Sequence, residues 1–158
     1  MIIIFINIVQ LREFRYLKVN YESCVDWKIT TDYLRCHPRF HGQERYDCVL
    51  IHTLDHQNNE KLTFVRLQFM FEYIVGNEPL RLALVTPFYI PPGEKRAIDK
   101  DLRLIRLRAR SAASSQIITL RSVIRGVLLV PDFTNDGDYF LCNYVDGDIF
   151  LRSQEFLS

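Results

Sequence analysis

Apolar and polar positions along the chain follow the short alternations of β-strands more than the three-to-four-residue spacing of helices. The clearest run is Val65, Leu67, Phe69, Phe71 and Tyr73, alternating with Arg66, Gln68, Met70 and Glu72. That is the period of two expected when one face packs on a core and the other meets water. Gly76-Asn77-Glu78-Pro79 ends the run, and Leu80 to Tyr89 resumes as a strand until Pro91-Pro92-Gly93 forces a loop. Upstream, Tyr46 to Thr53 is rich in β-branched and aromatic residues and stops at the turn-like Asp55-His56-Gln57-Asn58-Asn59, predicting a strand and a hairpin loop. Downstream, Ile117 to Leu120, Val123 to Val130, Tyr139 to Val145 and Ile149 to Leu151 are further predicted strands. Pro131 to Asp138 and a tight Asp146-Gly147 turn separate them.

Three stretches resist this pattern. Between Ile98 and Ala109, Ile98, Leu102, Ile105 and Ala109 share a helical face, while Leu102/Leu104 and Ile105/Leu107 alternate as a bulged strand would, and the strand is preferred. Phe14 to Val19 is strand-like, but Asn20 to Gln43 shows no clear period. It is expected to be a long loop with at most a helical turn at Ser23 to Trp27, pinned by Tyr21, Trp27, Tyr33 and Phe40. The apolar run Ile2 to Val9 lacks a basic flank and a small-residue cleavage site and is too short to span a bilayer. Residues 1–13 are expected to be an edge strand or a non-native leader such as a start codon inside a larger gene would leave. The whole predicts an all-β, β-dominated single domain over residues 1–158, an antiparallel barrel with a long N-terminal loop and at most short helices.

A length of 158 residues suits one hydrophobic core, and 48% apolar residues suffice to build it. The net charge of +1 removes whole-molecule attraction to nucleic acid or anionic lipid, so such binding needs a local patch. Cys24, Cys36, Cys48 and Cys142, with no secretory leader, are expected to be reduced thiols in a nuclear or cytoplasmic protein.

Four constellations bear on chemistry. Cys36, His37, His41 and Cys48 supply zinc-type ligands, with His52 and His56 beyond, but no two cysteines have the spacing of a structural zinc site, and Cys48 fits a small core residue. Asp132 to Asp138 opens like a calcium loop, but Asn143 stands where a bidentate glutamate is needed, and a polar hairpin loop is favoured. Lys95, Arg96, Lys100, Arg103, Arg106, Arg108 and Arg110, continued by Arg121 and Arg125, form a basic segment suited to phosphates or an acidic partner. The acidic C-terminal segment, with Asp132, Asp136, Asp138, Asp146, Asp148 and Glu155, offers the alternative that the two neutralise one another. No catalytic set emerges: there is no nucleophile elbow, phosphate loop or zinc helix, and Asp47, Asp55 and Glu60 fit surface carboxylates.

The segments 14–27 (FRYLKVNYESCVDW), 31–36 (TDYLRC), 40–53 (FHGQERYDCVLIHT), 122–133 (SVIRGVLLVPDF) and 144–152 (YVDGDIFLR) resemble uncharacterised proteins of mushroom-forming fungi. Many of those are linked to transposase-like genes of the Kyakuja-Dileera-Zisupton type. The resemblance covers residues 14–152 and carries over no catalytic residue. A weaker likeness, through strand order and the stretch 124–131 (IRGVLLVP), is to bromo-adjacent homology modules, which are chromatin-associated β-barrels. Together these imply a non-catalytic interaction module of a transposon-derived protein. It would contact DNA or an acidic protein through Arg103, Arg106, Arg108 and Arg110, with the aromatic residues of 20–40 as apolar anchors. The alternatives are a structural domain packed on an upstream transposase core and a degenerate metal-dependent nuclease. No cofactor, membrane or small-molecule substrate is expected.

Overall fold

The run Cys48-Val49-Leu50-Ile51, apolar at four successive positions, becomes a strand buried on both faces in the computed structural model, which describes residues 11–157. In chain order the elements are β1 (Leu11–Phe14), β2 (Tyr16–Glu22), β3 (Ile29–Phe40), β4 (Gln43–Tyr46), β5 (Cys48–Leu54), β6 (Glu60–Val75) and β7 (Glu78–Tyr89). They continue with α1 (Ala97–Asp101), β8 (Arg106–Ala109), β9 (Gln116–Thr119), β10 (Val123–Val127), β11 (Leu129–Pro131), β12 (Asp138–Leu141) and α2 (Gly147–Ser153). The protein is mostly β, and the strands pair antiparallel. The predicted strand at Ile2 to Val9 lies outside the described residues.

Among the described residues the larger sheet runs β10-β5-β6-β7-β8-β12-β11, with β1 added to the far half of β6 and β9 to β7. It is not the closed barrel expected from the sequence. Its two end strands, β10 and β11, are consecutive in the chain and separated by Leu128 alone, yet they share no ladder. The sheet therefore curls until its ends are brought together by the chain and not by hydrogen bonds. All seven strands of this path send side chains into one apolar cluster, which contains Cys48, Leu50, Phe64, Phe88, Leu107 and Leu141, with Ile124 of β10 and Leu129 of β11 at its margin. Phe156 and Leu157, just after α2, pack against it.

A second cluster lies on the opposite face of β5, where Val49 and Ile51 join Val65, Leu67, Met70, Ala83, Val85 and Val123. Against it packs a small sheet of order β2-β3-β4, contributing Val19, Leu34 and Cys36. This corrects the expected Asn20 to Gln43 loop: most of it is paired strand, with β2 and β3 in register from Tyr16↔Arg35 to Glu22↔Ile29. Its period was obscured because polar Asp32 also points inward, where its carboxylate accepts the Gly126 N–H at 2.8 Å.

Three further expectations change. The alternation of β6 reverses at a bulge between Leu67 and Phe69, so Met70 is fully buried while Phe69 is 36% exposed. Ile98 to Ala109 divides, helical to Asp101 and strand from Arg106, with Arg103 in the left-handed region (φ 52°) at the corner. Asp146-Gly147 is not a hairpin turn, and Ile149 to Leu151 is not a strand. The Asp146 carboxylate accepts from Ile149 N–H, the N-cap geometry that starts α2. No helix among the described residues is long and apolar enough to cross a membrane.

Candidate nucleic-acid interface

The predicted basic segment does not form one cationic face. Asp138 of β12 stands in register with Arg108 of β8, so cross-strand pairing brings carboxylate to guanidinium. Arg108 binds it through two hydrogen bonds of 2.6 and 3.1 Å. Arg106 is enclosed by three carboxylates: a bidentate contact with Asp99 at 2.8 and 3.1 Å, one with Asp138 at 3.2 Å, and one with Asp132. The Thr134 hydroxyl, then Arg106 and Asn135, hold the Asp132 carboxyl well below its ordinary range, and Arg108 followed by Arg106 does the same for Asp138 against the opposing effect of burial. Arg106 is thus committed inside the protein, whereas Arg108 is paired with Asp138 but keeps a 44% exposed side chain. Lys95 donates to the Leu157 carbonyl at 3.0 Å, Arg96 donates to Asn135 at 3.3 Å, and Lys100 lies 3.9 Å from Glu94. Arg103 and Arg110 are exposed, Arg110 with its guanidinium 4.7 Å from the Tyr89 ring centroid.

Arg125 is likewise structural, buried at 5% exposure. It bonds Asp146 at 2.7 and 2.9 Å and Asp148 at 2.8 Å and lies 4.7 Å from the Tyr21 ring centroid. Asp148 also accepts from Arg152 at 2.8 Å and from Cys24 N–H at 2.7 Å. The cluster joins β10, α2 and the turn after β2.

The zinc candidates are dispersed because neighbouring strand residues point to opposite faces. Cys36 lies in the cluster beneath the small sheet and Cys48 in the cluster inside the curled one. His37 has the opposite side of β3, and His41 sits in the β3–β4 turn at φ 50° beside Gly42 at φ 84°. Burial, then Glu13 and Asp47, pushes the Cys36 thiol up to about 11, which disfavours the thiolate that zinc needs. Among the described residues no three His, Cys, Asp or Glu side chains gather as a metal site. The calcium-like stretch is a turn in which Asp132 accepts from Thr134 and Asn135.

A different face brings cations and rings together. The sequence contains two Tyr-Leu-basic tripeptides, Tyr16-Leu17-Lys18 on β2 and Tyr33-Leu34-Arg35 on β3. The antiparallel register sets Tyr16 opposite Arg35 and Lys18 opposite Tyr33. Directly paired residues share a face, so the outer side of the small sheet is a checkerboard of aromatic and basic groups while Val19 and Leu34 point inward. The two tyrosine rings stack at 6.1 Å with 16° between planes, and they are 45% and 58% exposed. Arg35 lies 4.1 Å from the Tyr16 centroid and 5.5 Å from that of Phe40, and Arg45 lies 4.9 Å from Phe40. Arg45 is also paired with Asp47 at 3.0 Å. The side chains of Lys18, Arg35 and Arg39 have no carboxylate partner among the described residues, although the Arg35 backbone N–H donates to Asp47 at 2.8 Å, and Nη1 of Arg35 is buried without a hydrogen bond. Sequence reasoning missed this face because the segment read as a loop; the repeated tripeptide was the available signal.

The chain matches no family model, no curated protein and no solved structure. Exposed stacked rings offer π-faces, guanidinium and ammonium groups offer donors to anions, and the combination suits a ligand with both aromatic planes and negative charge.

Proposed function

We propose that the chain is a non-catalytic interaction module that binds nucleic acid through the outer face of β2, β3 and β4. The observation that carries this is the Tyr16, Lys18, Tyr33 and Arg35 checkerboard, three of whose neighbouring cations, Lys18, Arg35 and Arg39, are not neutralised by carboxylates among the described residues. Phosphate contacts by lysine and arginine supply sequence-independent affinity, and exposed rings add contact with bases. The assignment moves the binding face away from Arg106, which Asp99, Asp132 and Asp138 enclose, and from Arg108, whose charge is paired with Asp138.

Fluorescence polarisation of a labelled mixed-sequence oligonucleotide at low salt tests it. Binding is expected to weaken as salt rises, to weaken in Lys18→Gln and Arg35→Gln, and to persist in Arg103→Gln and Arg110→Gln. Absence of affinity at low salt, or the reverse order of sensitivity, overturns the assignment.

A further inference from the structure

Resting on that function, we propose that the face takes single-stranded nucleic acid in preference to duplex, with little dependence on base sequence. A ring can stack on a base only where the base face is free, and in a duplex those faces are occupied by neighbouring base pairs. Tyr33, 58% exposed, and Tyr16, 45% exposed with Arg35 over one face of its ring, present their rings on the outer surface of the small sheet. Duplex readout commonly inserts a helix or ribbon into the major groove. The described α-helices have five and seven residues, with Asp99 of α1 and Asp148, Ile149 and Ser153 of α2 buried, and the β2–β3 ribbon packs its inner face on the core through Val19, Leu34 and Cys36.

Sequence tolerance follows from the kind of contact that the rings and cations make. The Thr31 hydroxyl donates to the Asn20 amide oxygen at 2.8 Å, which leaves the Asn20 amide nitrogen as the donor of that uncharged pair. Stacking and charge act on any base. The outward row of β3 from Ile29 to His37 spans about 26 Å at the usual strand rise, enough for a site at the short end of about 4–16 nucleotides. Lys18, Arg35 and Arg39 would meet about three phosphates, giving a slope of log affinity against log salt of roughly −2 for a single strand.

The experiment uses the full chain and three fluorescent probes of about 12 nucleotides, within the usual site sizes: oligothymidine, a mixed single strand, and the duplex of that mixed strand. Both single strands are expected to bind at least about tenfold tighter than the duplex. Tyr16→Ala and Tyr33→Ala are each expected to weaken them about tenfold, while Tyr→Phe at either position retains binding. Both residues are exposed, and far-ultraviolet circular dichroism with a melting curve verifies that the variants fold. Equal or tighter duplex binding, lowered by Lys18→Gln but indifferent to Tyr33→Ala, overturns single-strand preference and leaves the nucleic-acid face standing. No binding of any probe overturns both. Displacement of the probe by polyglutamate at equal charge, with tyrosine variants silent, marks an acidic-protein site and also overturns both.

Discussion

Replacing Arg125 by methionine removes the cation at the centre of the carboxylate cluster that ties α2 to the small sheet. The guanidinium makes two hydrogen bonds to Asp146 and one to Asp148. Removing one partner of a buried ion pair costs about 3–5 kcal/mol, mainly because the other charge is left without compensation. The cost should fall at the low end, about 3 kcal/mol, for two structural reasons. Asp146 is 41% exposed and can recover water, and Asp148, though only 5% exposed, keeps Arg152 and the Cys24 N–H. For a chain of this size that is a loss of about 6–12 °C in Tm, or about 1.5 M in the urea midpoint if the slope is near 2 kcal/mol per M. Urea titration followed by far-ultraviolet circular dichroism measures it. Arg125→Met combined with Asp148→Asn should cost less than the sum of the single changes by at least about 1 kcal/mol, because the amide removes the charge that methionine strands. A single-mutant cost under about 1 kcal/mol, or strict additivity, refutes the view that this cluster holds α2 in place.

Stability should respond to acid in a defined window. Asp146 is held low chiefly by Arg125, and Asp148 is held at about 2 because hydrogen bonds from Arg152, Cys24 and Arg125 outweigh the opposing burial. Folded-state values below the unfolded value of about 3.9 mean that their contribution is complete above it and lost as pH falls. The urea midpoint is therefore expected to lose this contribution between about pH 4 and pH 2; a cluster contribution unchanged across that window contradicts the assignment. The β6 bulge predicts that Met70→Ala costs about 2–5 kcal/mol and Phe69→Ala clearly less, measured by urea unfolding, whereas an unbroken alternation gives the opposite order. Trp27 holds a left-handed backbone conformation (φ 60°) with its indole 73% exposed. Trp27→Gly should raise stability by up to about 1 kcal/mol, as relief of a strain of about 1–2 kcal/mol exceeds glycine's entropy cost; a lower Tm contradicts this.

The strands most legible in the sequence were those with uniform neighbours. Cys48 to Ile51 and Leu80 to Tyr89 emerged where their composition placed them. The phase of β6 was lost at Gln68, because a bulge leaves no mark in residue type when apolar side chains occupy both sides of it. Val123 to Val130 concealed a break at Leu128 for the same reason. The small sheet was hidden by its own mixed chemistry: inward Asp32 serves Gly126, and outward Tyr16 and Tyr33 look apolar, so neither face shows clean alternation. At the basic segment, composition showed the charges of Arg106 and Arg108 but not their registry with Asp138, which only the pairing of β8 with β12 supplies.

The meeting of β10 and β11 at Leu128 bears on how the two ends of the main strand path avoid recruiting other molecules. An open sheet of this length would ordinarily expose two ladder edges able to recruit strands from other molecules. Here the terminal strands have only five and three residues. One is broken by a register shift between Val123 and Arg125, and the other ends on Pro131, which has no N–H to offer. Joined end to end through Leu128, they offer only short, irregular edges, a poor template for strand addition and for the aggregation that follows from it.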